Sequence, residues 1–101
     1  MSSSMIEVQE SRAQQVQVTE DALIVALVDG RVITVPLTWY PRLWYGTPQE
    51  RSDFQIMGDG AYIHWSALDE DLSVAGILAG LRSGESAASL KRWLAEHKQR
   101  E

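Results

Sequence analysis

The sequence predicts an α+β fold with two layers: a largely antiparallel sheet of four to five strands, with short helices and one longer helix on one face. Three patterns carry this prediction. Two stretches join β-favouring runs through links that contain Asp and Gly, which is typical of hairpins. An apolar run near residue 75 and an amphipathic stripe near the C-terminus have helical spacing, so we also expect a C-terminal helix. The length of 101 residues suits one domain.

The first hairpin is predicted within residues 22–37, where two runs rich in Val, Ile and Leu flank Asp29 and Gly30. This pair favours a two-residue type I′ turn. Because the first run is apolar on both faces, we expect a central strand that is covered on both sides. Residues 16–19 alternate in polarity and predict an edge strand, and residues 6–8 predict another short strand.

Two short helical turns are predicted after this hairpin. Thr38 can cap a helix, Pro41 fits its first turn and Gly46 fits its end. Residues 47–50 repeat the arrangement with Thr as the cap, Pro in the first position and Glu in the third.

The second hairpin joins residues 54–57 to residues 61–65 through the Gly-Asp-Gly link at 58–60. The three carboxylates of residues 69–71 then precede an apolar run. Since carboxylates favour the positive end of the helix dipole, this pattern predicts a helix over residues 71–81 that begins at them.

The last helix is predicted from Ala87 to about Gln99, opened by Ser86 and separated from the preceding helix by Gly84. Its apolar stripe consists of Ala87, Leu90, Trp93, Leu94 and His97. We therefore divide the chain into a disordered leader (residues 1–5), an α+β domain (6–83) and a C-terminal amphipathic helix (84–101).

Composition excludes several classes of protein. The chain has no Cys and two His, which excludes disulfide scaffolds, Cys-ligated metals, thiol nucleophiles and a multi-histidine metal site within one chain. The net charge of -5 argues against a broad nucleic-acid-binding face. No apolar run is long enough to cross a membrane, and the N-terminus lacks the pattern of a secretory signal. We expect a cytoplasmic protein without a membrane partner.

The residues with the strongest chemical potential are His64 and the acidic residues 69–71. They could form a cation site or an acid–base pair, but the spacing of a calcium loop is missing, which favours helix capping. His64 shares a strand face with Tyr62 and lies opposite Ile63 and Trp65. No catalytic, cofactor-binding or metal-binding residue is predicted, and a hydrolase using His64, Asp69 and Asp71 is the least favoured interpretation.

Several other residues could contact a partner. Trp39 is expected in the core, whereas Trp44 and Tyr45 suit either the core or an interface. Arg42 could contact phosphate or pair with an acidic neighbour. Small residues at Gly76 and Gly80 allow tight packing on the sheet or a dimer contact. The candidate partner-binding residues are Trp44, Tyr45, Leu90, Arg92, Trp93, Leu94 and Lys98.

Two motifs resemble a bacterial family, domain-of-unknown-function family 2442. They comprise Trp39, Tyr40, Pro41, Arg42 and Leu43, and then Ile63, His64 and Trp65 followed by Leu68, Asp69, Glu70 and Asp71. The resemblance runs from about Val16 to Leu81. It implies a small α+β domain with no established enzyme activity. Because family members often occur beside small toxins, it also implies an antitoxin-like, partner-binding role. Some relatives carry a helix-turn-helix after this domain, for which too few residues follow Gly84.

These observations predict a non-enzymatic interaction module without a cofactor, the antitoxin-like component of a bacterial pair. Its partner would be a toxin or a second copy of the chain. The alternative is a dimeric DNA-binding regulator that uses the basic C-terminal helix. Residues 1–90 hold 5 Lys+Arg and 12 Asp+Glu, a net charge of −7, whereas residues 91–101 hold 4 and 2, a net charge of +2.

Overall fold

A computed structural model describes the backbone of residues 11–100 and the side chains of residues 11–97. The strands are β1 (Ala13–Val18), β2 (Ala22–Leu27), β3 (Val32–Pro36), β4 (Gln55–Met57), β5 (Tyr62–Trp65) and β6 (Glu70–Ser73). The helices are a 3-10 turn (Leu37–Trp39), α1 (Pro41–Trp44), α2 (Pro48–Ser52), α3 (Val74–Leu78) and α4 (Ala87–Arg100). The predicted strand at 6–8 and the leader lie outside the described residues.

The α+β class is confirmed, but the prediction of one sheet with four to five strands is wrong. The described strands form two antiparallel three-stranded sheets, ordered β1-β2-β3 and β4-β5-β6. Pro36 lacks an N–H group and is the last residue of β3, after which the chain turns into the short helices. A backbone bond from Ala13 N to Gly60 O, 2.7 Å long, links the first sheet to the turn between β4 and β5.

The first hairpin is confirmed with a different turn. Its loop is three residues long, because Leu27 N bonds to Arg31 O and Gly30 N bonds to Leu27 O. Gly30 has a φ of 98°, whereas Asp29 is not among the residues with positive φ. A type I′ turn needs positive φ at both central residues, so this loop is instead typical of a turn closed by a glycine bulge.

The centre of the first sheet is β2, as predicted, but only one of its faces is fully covered. Leu23, Val25 and Leu27 are completely buried, while the alternate residues Ala22, Ile24 and Ala26 are half-buried. The core face therefore follows the period of two that a strand imposes.

The second sheet sends alternate residues to the core and to solvent. Ile63 pairs with Leu72 and Trp65 pairs with Glu70, and these four side chains share the buried face. On the outer face His64 lies opposite Asp71. The predicted placement of His64, opposite Ile63 and Trp65, is confirmed.

The helix predicted over 71–81 is much shorter, because its first residues pair as β6. Ser73 caps α3 by accepting a bond from Gly76 N at 2.9 Å, and Gly80 ends it with a φ of 80°. Gly80 N bonds to Ile77 O and Leu81 N bonds to Gly76 O, which is the Schellman arrangement. The two glycines therefore serve the ends of this helix. The acidic residues 69–71 lie in a turn and a strand, and do not cap it.

The two short helices after the first hairpin are confirmed. Thr47 and Glu50 form the predicted capping box of α2, with N–O distances of 2.8 and 3.1 Å. Thr38 does not cap a helix, because it lies inside the 3-10 turn and α1 has no side-chain cap. Both helices contact the C-terminal segment, α1 through Arg42 and α2 through Glu50, and the candidate site forms at these contacts.

The C-terminal helix begins at Ala87, as predicted, and packs on its own chain. Trp93 and His97 are buried on its inner face, with Leu90 and Leu94 partly buried beside them, whereas Ala87 is exposed. Within residues 11–100, no helix is both long and apolar enough to cross a membrane.

Candidate functional site

The side chain of Arg42 connects α1 to the C-terminal segment. Its Nε donates to both carboxylate oxygens of Glu85, at 2.9 and 3.1 Å, and Nη2 donates to the same carboxylate. Nη1 donates to the backbone oxygen of Asp69 at 2.8 Å. These bonds raise the pKa of Arg42 and lower that of Glu85. Of the two roles predicted for Arg42, the structure shows the acidic pairing, and the forked geometry fixes both segments in register.

Trp93 is the buried anchor of α4. It is 5% exposed, and the guanidinium carbon of Arg42 lies 5.2 Å from the centre of its ring. The ring of His97 stacks on the indole, with 4.7 Å between the ring centres and an interplanar angle of 11°. Arginine above an indole adds a cation–π attraction to the burial of a large apolar surface.

His97 ties the far end of α4 to the capping box of α2. Its Nε2 lies 2.9 Å from Oε2 of Glu50, and its Nδ1 is buried without a hydrogen-bond partner. Burial opposes ionisation of Glu50, but hydrogen bonds from the Thr47 backbone and from His97 outweigh it and lower the pKa of Glu50. Glu50 therefore serves both as a cap and as a docking residue.

The segment between α3 and α4 is held by the first motif. Tyr40 is buried and donates its hydroxyl to Leu81 O at 3.0 Å, and Ser83 N donates to Trp39 O at 3.0 Å. The Arg82 guanidinium lies 4.7 Å from the centre of the Trp39 ring. Trp39 is half-buried against the core, so the prediction that it packs there is confirmed.

A cleft of about 630 Å³ opens beside this contact, lined by Tyr40, Arg42, Glu70, Gly76, Glu85, Ser89 and neighbouring residues. Glu70 is on the core-facing side of β6, next to Leu72. Burial raises the pKa of Glu70 to about 7, although the positive charge of Arg42 opposes this change. Burial also raises the pKa of Tyr40, and Glu70 adds to this effect. The cleft therefore combines a partly buried acid, whose pKa is raised, with an arginine.

The acidic residues that follow His64 separate from one another. His64 Nδ1 lies 2.5 Å from Asp71 Oδ1 across the strand pair, whereas Asp69 is in a tight turn with a φ of 50° and lies near Arg42. Glu70 points to the core side. Among the described residues, no three His, Asp or Glu side chains come together in a way that could hold a metal ion.

Trp44 and Tyr45 are the exposed aromatic residues at the end of α1, with 41% and 54% of their surfaces accessible. Arg51 fixes the backbone beneath them, because its Nε donates to Leu43 O at 2.8 Å and its Nη2 donates to Trp44 O at 2.6 Å. The carbonyl of Arg51 in turn accepts a bond from Trp65 Nε1 at 3.0 Å. Two large exposed rings therefore extend from backbone that Arg51 holds through two hydrogen bonds.

The remaining predicted partner residues divide by exposure. Arg92 is exposed, Leu90 and Leu94 are half-buried against the core, and Trp93 is buried within its own chain. Because Trp93 is buried, a partner cannot contact it while α4 is docked on the domain. The side chain of Lys98 lies outside the described residues.

The profile of one protein family matches residues 13–83, which is more than half of the chain. The chain belongs to the DUF2442 family of proteins of unknown function. This membership confirms the resemblance drawn from the two motifs. No curated protein matches the chain.

Two solved structures have the same fold as this DUF2442 protein. A protein of unknown function from Rhodospirillum rubrum is 28% identical, with a TM-score of 0.65 over 76% of this chain and 93% of that one. An uncharacterised protein, CV0863, from Chromobacterium violaceum is 26% identical, with a TM-score of 0.65 over 93% of this chain and 83% of that one. An alignment over 93% of this chain leaves out too few residues to end before α4. The likeness to the Chromobacterium violaceum protein therefore includes part of that helix.

The sequence motif of this DUF2442 protein did not reveal the residues that complete the site. Glu85, Ser89 and Glu50 were not predicted to interact with Arg42 or His97. An arginine in an acidic chain signals a carboxylate partner, but Glu85 is far from Arg42 in sequence and no local pattern links them. The capping-box pattern identified Glu50 only as a cap.

Proposed function

We propose that this DUF2442 protein is a non-enzymatic protein-interaction module, the antitoxin-like half of a small bacterial pair, whose partner binds at Trp44 and Tyr45. The exposure of these two rings is the observation that carries the proposal. Large aromatic side chains are enriched at protein interfaces and contribute much of the binding energy there. Their backbone is held by Arg51, so binding would require little reordering.

The charge of the chain indicates the chemistry of the partner. Residues 1–90 have a net charge of −7, and one of their five cations, Arg42, is already paired with Glu85. A net negative charge of this size attracts a basic protein and speeds its association. The proposed partner is therefore a basic protein that presents an apolar pocket for the two rings.

The experiment uses photocrosslinking in the native bacterium. A photoreactive phenylalanine analogue replaces Trp44 in one chain and Tyr62 in a control chain, since Tyr62 is at least as exposed as Trp44 and lies on the outer face of the second sheet. We expect a single basic protein to crosslink at position 44 and not at position 62. The W44A/Y45A double variant should lose that protein, and Y62A should keep it. Recovery of the free chain alone, or equal capture by W44A/Y45A, contradicts the proposal.

The antitoxin role is tested separately by expressing the crosslinked partner in a bacterium. The partner alone should arrest growth, and co-expression of the wild-type chain should restore it. Co-expressed W44A/Y45A should not restore growth. A partner without any effect on growth leaves an interaction module and removes the antitoxin role.

A second proposal is a DNA-binding regulator that uses α4, supported by the exposure of Lys91 and Arg92 on the outer side of the helix. Phosphate contacts make affinity fall steeply with salt. A gel-shift titration at low salt should show binding that K91A/R92A weakens by at least tenfold. The absence of any shift at low salt removes this proposal.

A further inference from the structure

We infer that the surface formed by Arg42 and Glu50 is a receptor for an amphipathic helix, and that α4 of a second copy of this chain can bind it in place of the chain's own α4. The proposal concerns the inner face of α4 and does not depend on the partner proposed for Trp44 and Tyr45.

The contact between α4 and the domain is made by side chains. Within residues 87–97, no backbone hydrogen bond reaches the rest of the fold, and Leu90 N bonds only to Ser86 O. The strands, in contrast, are joined by backbone ladders. The helix can therefore leave as a unit without breaking any backbone pair.

The docking contacts have the form of helix-in-groove recognition. One buried aromatic ring, Trp93, lies between two polar anchors, Glu85 on Arg42 and His97 on Glu50. An aromatic anchor in the centre with charged pairs at the margin is the usual arrangement of a peptide helix in a receptor groove. The chain therefore contains both a receptor and its ligand.

The hinge between receptor and ligand lies at Gly84. Ser83 N is bonded to Trp39 O on the domain, and Glu85 is bonded to Arg42, so Gly84 separates the two attachments. Gly84 is exposed, and a Cβ at this position would have no atom within 4 Å. A glycine in open space can adopt the altered backbone angles that an exchanged helix needs.

Charge complementarity allows a second copy as the occupant. Residues 1–90 have a net charge of −7 and residues 91–101 have a net charge of +2, so the terminal helix of one copy is attracted to the domain of another as well as to its own. The second copy also offers the identical Glu85, Trp93 and His97, and exchange of identical elements requires no new contact.

Reversing the charges of one docking pair tests the exchange. R42E places a second carboxylate against Glu85 within one chain, and E85R places a second guanidinium against Arg42, so each variant repels its own helix. When the two variants are mixed, the pairs become complementary only if the helices are exchanged between copies. The R42E/E85R double variant restores the pair within one chain and is the control.

The two variants are unfolded in urea and refolded together, and light scattering then measures the mass of the product. Because they refold as a mixture, neither variant has to fold alone. We expect a species of twice the chain mass of 11.3 kDa from the mixture, and a species of single mass from the double variant. A mixture that refolds only to single-mass chains, or aggregates while the double variant folds, overturns the proposal.

Discussion

Arg42 lies above the indole ring of Trp93, 5.2 Å from its centre, although about half of the chain separates the two residues in sequence. The same guanidinium donates hydrogen bonds to Glu85, two residues before α4 begins. One side chain of the first family motif therefore fixes both the start and the middle of the terminal helix. The role of the motif arginine in this chain is to hold residues 85–93 on the domain.

Trp93→Ala is expected to lower the free energy of unfolding by about 3 kcal/mol, since removal of a buried tryptophan leaves a cavity and loses the stacking on His97. Urea denaturation followed by circular dichroism measures the change. Arg92→Ala, on the exposed side of the same helix, is the control and should stay within about 0.5 kcal/mol of the wild type. Equal urea midpoints for Trp93→Ala and the wild type would show that the contacts of Trp93 with the domain do not stabilise the fold.

Arg42→Lys is expected to destabilise the fold by about 1–2 kcal/mol, because an ammonium group cannot bond Glu85 through a fork and also reach Asp69 O. The matched control is Arg31→Lys. Arg31 pairs with Asp29 on an exposed turn, and such pairs contribute at most about 1 kcal/mol. Thermal and urea unfolding of both variants give the comparison, and a larger loss for Arg31→Lys would contradict it.

Comparing Gly60→Ala with Gly30→Ala separates backbone strain from a steric clash of the added Cβ. Both residues have positive φ, 92° and 98°. A Cβ on Gly60 would lie 2.6 Å from the backbone oxygen of Ala13, whereas a Cβ on Gly30 would meet nothing within 4 Å. We expect Gly30→Ala to cost about 1 kcal/mol from backbone strain alone, and Gly60→Ala to cost at least about twice as much. Urea midpoints in the reverse order would show that the two sheets do not meet at Gly60.

The sequence predicted the elements whose signals are local. The capping box of residues 47–50, the alternation that buries Ile63 and Trp65, and the start of α4 at Ala87 all depend on neighbours within a few positions. The strand β6 was missed because its acidic residues also suit a helix start, and only pairing with β5 decides between the two. Tertiary pairing overrides local preference in this case.

The candidate site was predicted only in part for the same reason. Trp44, Tyr45 and Arg42 were identified because aromatic clusters and arginines stand out in a sequence. Glu85 and Glu50 gain their roles from contacts that the fold creates at long range, and Glu70 is unusual only because β6 turns it toward the core. No pattern of residue types along the chain encodes those contacts.

Tyr40→Phe is expected to cost about 1 kcal/mol, because it removes the part-buried hydroxyl that donates to Leu81 O at 3.0 Å. Tyr45→Phe removes an exposed hydroxyl and should have no measurable effect. The two variants differ from the wild type by one oxygen each, so their urea midpoints compare the same chemical change in two environments. Equal losses would show that the bond to Leu81 does not stabilise the docked segment.

Glu70 is expected to make stability depend on pH between about 4.5 and about 7. Burial raises the pKa of Glu70 from 4.5 to about 7 in the folded chain, so the folded state favours the protonated acid. The resulting stabilisation is complete below pH 4.5 and is lost as the pH rises through about 7, because the folded state must then hold a buried carboxylate. Glu70→Gln is uncharged at every pH and should therefore be more stable than the wild type at pH 8.

We expect that gain to be about 1–2 kcal/mol, since partial exposure and Arg42 both screen the charge of Glu70. The measurement is the difference in unfolding free energy between Glu70→Gln and the wild type at pH 5 and at pH 8. Subtracting the two free energies at each pH cancels the contributions of Glu50 and Glu85, which are the same in both proteins. Their lowered pKa values change stability in the opposite direction as the pH falls. Glu96→Gln, an exposed change of the same type on α4, is the control. A difference that is the same at both pH values would mean that Glu70 is ionised in the folded chain throughout this range.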